Sequence, residues 1–182
     1  VATARMLALA NDTLGDILPV RLKTSWWWTL GMTWTLVNLR GLGQIMYDMV
    51  DQPEALHRTM AFLRDGHLAK LDYLEQNGLL SLNNDGTYDS SGGVSYSSEL
   101  PKPDYDPARI RPCDMWCSAE AQELAQVSPE MHAEFILAYE KRLLEPFGLN
   151  GYGCCEDLTD KLDDVLSIPH IRRISIAPLA NV

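Results

Sequence analysis

SPEMHAEFILAYEKRLLEPFGLNGYGCCEDLTDKLDDVLSIPHIRRISIAP, Ser128 to Pro178, alternates helix and strand twice. Ser128 is a helix N-cap type, Pro129 suits the first helical position, and Glu130 follows in the first turn. The pattern predicts a helix to about Glu145, stopped by Pro146 and Gly148. LNGYGC then reads as a short strand, CEDLTDKLDDVLSI as a helix and IRRISIAP as a further strand. Strands that alternate with helices at this pitch pair in parallel through helical crossovers, which predicts an α/β fold.

The upstream half fits the same alternation. VATARMLALANDTLGDI, Val1 to Ile17, has apolar residues at helical spacing, and VRLKT, Val20 to Thr24, alternates like a short strand. SWWWTLGMTWTLVNLRG crowds four tryptophans between Trp26 and Trp34. It reads as a loop entering a helix, with the indoles as core, subunit interface or the apolar wall of a pocket. GLGQIMYDMVDQ predicts a helix ending before Pro53. The next helix has Asp51 as N-cap candidate, Pro53 in the first turn and Gly78 as the stop. Its stripe is Leu56, Met60, Leu63, His67, Leu71 and Leu74. His57 and His67, ten residues apart, are read as structural or solvated.

LLSLNNDGTY, Leu79 to Tyr88, predicts an apolar strand ending in Asn83, Asn84 and Asp85. These residues form turns readily, but polar groups at the carboxyl end of a parallel strand also make ligand sites. DSSGGVSYSSELPKPDYDPARIRP, Asp89 to Pro112, is rich in Gly, Ser and Pro and reads as a lid or a long excursion. Cys113 and Cys117 have no second ligand pair at finger spacing, so a structural zinc site is not expected there.

Bulk properties bound the function. The chain has 182 residues, 46% of them apolar, which suits one domain over residues 1–182 with a real core. A net charge of −10 repels phosphate, so neither nucleic acid nor an anionic membrane is expected as a partner. No transmembrane run or signal peptide is visible, and four cysteines do not make a disulfide scaffold. A cytoplasmic location is the expectation. The chain opens on Val1 and stops just past a strand, so it reads as a piece of a longer protein.

GMTWTL, MYDMVDQPEALHRTMAFLRDGHLAKLDYLEQNGLLSLNND and the Ser128–Pro178 run together resemble the uroporphyrinogen decarboxylase superfamily. The resemblance spans most of the chain and rests more on motif order than on any single motif. It implies a (β/α)8 barrel, of which this chain would be a carboxyl-side part, with the site at the carboxyl ends of the strands. It also implies one of two activities. The first is zinc-dependent methyl transfer from a corrinoid or folate carrier to a thiol, with a corrinoid protein as a possible partner. The second is metal-free decarboxylation of uroporphyrinogen or a smaller acid.

Compared with the decarboxylase pattern, Leu39 stands where a tyrosine is expected, and Asp85 stands at a serine position, where it would repel a polycarboxylate. Compared with the methyltransferase pattern, Cys154 matches a zinc-binding cysteine, Tyr152 replaces the histidine, and Cys155 or Glu156 would supply the second contact. Methyl transfer is the leading expectation. Asp85 and Glu156 are the expected catalytic residues, Trp34, Asn84, Tyr88 and Tyr152 the substrate contacts, and Cys154 and Cys155 the metal ligands. The alternatives are decarboxylation and a non-enzymatic binding or assembly role, including self-association through the tryptophans. Strand alternation would send Cys154 and Cys155 to different sides. A disulfide between them would close a strained ring.

Overall fold

The Ser128 start forms as expected: the Ser128 hydroxyl accepts from the Met131 N–H at 3.3 Å, and Pro129 opens the helix. The chain stays helical to Leu144, as α5 (Pro129–His132), a π turn (Ala133–Leu137) and α6 (Ala138–Leu144). In this computed structural model the described residues are 2–23, 31–86, 88–90 and 93–181, with side chains omitted at 88–90 and 93.

Among the described residues, four α-helices precede that run. They are α1 (Ala2–Leu14), α2 (Thr33–Arg40), α3 (Leu42–Asp51) and α4 (Pro53–Gln76). Leu56, Met60, Leu63 and Leu71 of α4 are buried, as the stripe requires. The expected N-cap is displaced by one residue: Asp51 ends α3, and Gln52 caps α4. Gly78 ends α4 at φ 62°, where Leu79 N–H donates to Leu74 C=O and Gly78 N–H to Glu75 C=O. That paired closure needs a left-handed residue, which glycine adopts without a Cβ clash. His57 is structural. It stacks on Phe135 at 4.6 Å, and its ring nitrogens meet Tyr139 Oη and Glu134 Oε1.

The described strands form two sheets. A small hairpin pairs β1 (Tyr88–Ser90) with β2 (Gly93–Val94) antiparallel. The main sheet is parallel, in the order β3 (Trp116–Ala119), β4 (Leu149–Tyr152), β5 (Ile171–Ile174). Helix α5–α6 connects β3 to β4, and the short α7 (Leu162–Leu166) lies between β4 and β5. The fold is therefore α/β with a parallel sheet.

Two expected strands differ. Val20–Lys23 is irregular, and Leu79–Asp85 runs past β3 without joining the ladder. The Asn83 side chain takes a strand's place: its Nδ2 donates to Trp116 C=O and its Oδ1 accepts from Trp116 N–H, each at 2.9 Å. A side-chain amide carries the same donor and acceptor as a peptide group, so it satisfies the edge of β3 as a backbone would.

The sheet's two faces separate by alternation. Cys117, Ala119 and Tyr152 join the large core built with α2–α6, whereas Trp116 and Leu149 pack with Leu100. On this second face Arg173 Nη2 donates to Ser118 Oγ at 2.8 Å, and its guanidinium stands 5.9 Å from the Trp116 ring centroid. A Cβ on Gly151 would meet both Arg173 and Ser118 at 2.9 Å, so the glycine makes room for that crossing. The Asp89–Pro112 segment is anchored rather than loose at its end. Buried Asp114 accepts from Lys102 N–H, Arg111 N–H and the Arg111 guanidinium, which also grips Asp104.

Candidate functional site

The carboxyl ends of β3 and β4 lie side by side, so the residues that follow them share one rim. Gly153 N–H donates to Ala119 C=O at 2.9 Å, one step beyond the ladder, and Gly153 then turns at φ 94°. Glu156 folds back to fix this rim. Its Oε1 accepts from Ala121 N–H at 2.9 Å and its Oε2 from Cys154 N–H at 2.8 Å.

Among the described residues, Glu120, Glu140 and Glu156 bury their carboxyl side chains at this end. Glu120 follows β3 directly, accepts from Gln122 N–H at 2.8 Å, and lies against Gly31. A Cβ at Gly31 would fall 2.3 Å from Glu120 Oε1 and 2.6 Å from the Glu120 carbonyl oxygen. Burial pushes the Glu120 carboxyl up to about 7, opposed by the Gln122 N–H and reinforced by Glu123 and Glu156. Glu140 comes from α6. Its Oε1 accepts from Met32 N–H at 3.2 Å, and its Oε2 accepts from the Tyr152 hydroxyl at 2.8 Å. Burial raises Glu140 well above the usual carboxylate range, and raises Tyr152 likewise.

His132 completes a line of three groups, its Nε2 standing 2.9 Å from the Tyr152 hydroxyl. Burial, then Lys161 and Lys141, lowers its imidazole to about 4, so it is neutral at physiological pH. With Tyr152 donating to Glu140, Nε2 carries the proton that donates to Tyr152, and Nδ1 is left as a buried acceptor without a partner among the described residues. Helix geometry brings both ends of this line to one face. His132, Ile136 and Glu140 are spaced by four, and the π turn between them belongs to a class of irregularity frequent at functional sites. Lys161 is buried nearby in sequence to this rim, donates to Ala125 C=O at 2.9 Å, and is lowered chiefly by its burial.

The expected site residues are distributed unevenly. Tyr152 and Glu156 are in the cluster, Tyr152 inside the hydrogen-bonded line and Glu156 as a clip holding two backbone N–H groups. Cys154 is half-buried and Cys155 exposed on the same rim, their sulfurs 3.5 Å apart. This corrects the expectation that alternation splays them. The strand ends at Tyr152, and the turn at Gly153 removes both cysteines from strand geometry. Asn84 is committed to structure, its amide donating to Ser97 C=O and Leu100 C=O while its oxygen accepts from Trp116 Nε1. Asp85 is at the surface, 3.3 Å from Lys23. Trp34 is 58% exposed on α2. The Tyr88 side chain and the Trp26–Trp28 run lie outside the described residues.

Glu120, Glu140 and His132 are the residues that sequence reasoning missed. Glu140 carried a signal, because it occupies a core position four after Ile136 and four before Leu144. Glu120 was hidden because β3 itself was not recognised. Among the described residues, no three His, Cys, Asp or Glu side chains converge as metal ligands, and no helix is long and apolar enough to cross a membrane. Compared with protein-family models, curated proteins and solved structures, the chain matches none.

Proposed function

We propose that the carboxyl end of this parallel sheet is an acid–base site, and that the chain belongs to a metal-free carboxy-lyase acting on a small carboxylic acid. The observation that carries the reading is Glu120: a buried carboxyl directly after β3, against Gly31 and poised near neutral pH. Decarboxylation leaves a carbanion that needs a proton, and an acid with a pKa near the working pH both holds and releases one. The Tyr152 hydroxyl, between His132 and Glu140, supplies a route for moving a proton within the same cluster.

The consecutive parallel order β3-β4-β5 with helical crossovers supports reading the sheet as part of a (β/α)8 barrel in the uroporphyrinogen decarboxylase superfamily. The test is proton incorporation. A panel of small carboxylic acids is incubated with the protein in deuterated water, with CO2 release and product deuterium followed together. Glu120→Gln should abolish both, and the wild-type rate should fall above about pH 7 as Glu120 loses its proton. Full activity in Glu120→Gln would remove the reading.

The adjacent thiols of Cys154 and Cys155 favour a second reading, methyl transfer to a thiol at a zinc ion. The donor set fits only in part. Tyr152 is occupied within the His132–Glu140 line and Glu156 holds two N–H groups, which leaves two thiols of the roughly four ligands zinc takes. Stoichiometric zinc in the purified protein, lost in Cys154→Ala, would support this reading over the first.

A further inference from the structure

We propose that Cys154 and Cys155 form a reversible oxidation site, closed to an intramolecular disulfide by low-molecular-weight disulfides. This inference is independent of the acid–base reading.

Geometry is the first argument. Neighbouring residues in an extended strand point to opposite faces, yet here the two sulfurs are 3.5 Å apart. The chain achieves this by leaving β4 at Tyr152 and turning at Gly153, whose φ is 94°. A Cβ at Gly153 would also press on Leu158 at 2.8 Å, so the turn is specific to glycine. The Glu156 carboxylate then holds Cys154 N–H at 2.8 Å and fixes the start of the pair.

Access is the second argument. Cys155 is exposed and Cys154 half-buried, which assigns the attacking and resolving roles. The Cys155 thiolate attacks one sulfur of the small disulfide, forming a mixed disulfide and expelling one thiolate. The Cys154 thiolate then attacks the Cys155 sulfur, closing the protein disulfide and expelling the second thiolate. Two protein thiols are oxidised, the small disulfide is reduced to two thiols, and the two protein protons pass to the released thiolates.

Strain is the third argument, because it makes the site a switch rather than a staple. Adjacent α-carbons sit about 3.8 Å apart, closer than the roughly 4.4–6.8 Å of ordinary disulfides. A strained disulfide is easily reduced, so the oxidised form persists only while oxidant does. The other cysteine pair, Cys113 and Cys117, straddles the start of β3 and has its Cys117 member buried in the core.

The test treats the full chain with glutathione disulfide and reads intact mass and peptide maps. The expected result is loss of two hydrogen atoms without an adduct, located in the peptide that carries both Cys154 and Cys155 and reversed by dithiothreitol. Cys154→Ser should instead retain one glutathione on Cys155, since no resolving thiol remains. No reaction, a lasting adduct on the wild-type protein, or a bond mapped to Cys113 and Cys117 would each overturn the proposal. The wild-type peptide map decides the question even if the variant fails to fold.

Discussion

Replacing Glu120 by Gln should make the protein more stable at alkaline pH and not at acid pH. Glu120 is buried, with its carboxyl held at about 7 against an ordinary 4.5. Between those values the folded protein binds more protons than the unfolded chain. Stability therefore falls as pH rises through the window, and the loss is complete above about pH 7. The gap corresponds to about 3 kcal/mol of ionisation cost borne by the folded state. Gln keeps the shape and can still accept from Gln122 N–H, but it does not ionise. Glu140, raised chiefly by burial, titrates in both proteins, and removing Glu120 relieves it slightly in the same direction. Urea unfolding of both proteins from pH 4.5 to 8 measures the difference. The Gln variant should gain up to about 3 kcal/mol across that range, with most of the change below pH 7. A difference that stays constant with pH would refute the placement of Glu120 as a buried, late-titrating acid.

Other substitutions test separate parts of the structure. Gly31→Ala would drive a methyl group into Glu120, including its backbone carbonyl, and should cost about 1–3 kcal/mol in thermal or urea denaturation. Tyr152→Phe removes the hydroxyl between His132 and Glu140 and leaves buried polar atoms unpaired, for about 1–3 kcal/mol by the same measurement. Asn83→Ala strips both edge bonds from Trp116, so the Trp116 amide should exchange with solvent markedly faster while α4 amides change little.

The carboxyl-side alternation was legible because its signals are local. Ser128 and Pro129 open a helix, Pro146 and Gly148 close it, and apolar pairs mark β4 and β5. Gly78 was legible for the same reason. The Leu79–Asp85 segment was not, because nothing local says that the Asn83 side chain rather than the backbone will pair with β3. Strand β3 escaped notice since Trp116–Ala119 spans only four residues and its partner β4 is distant in sequence. The site shows the same division. Tyr152 and Glu156 were found as residues beside a strand tip, whereas Glu120 and Glu140 meet at Gly31 and Met32 through contacts spanning about a hundred positions. Such contacts depend on tertiary packing that periodicity does not encode.

The Asn83 amide has a consequence for solubility. A bare β3 edge would present hydrogen-bonding groups to any extended chain it met, which is how sheets recruit strands into aggregates. Asn83 occupies the Trp116 pair with a group only one peptide wide, so the ladder cannot be continued there by an incoming strand. The side chain satisfies the edge while ending it, and losing it would expose a template for aggregation at that position.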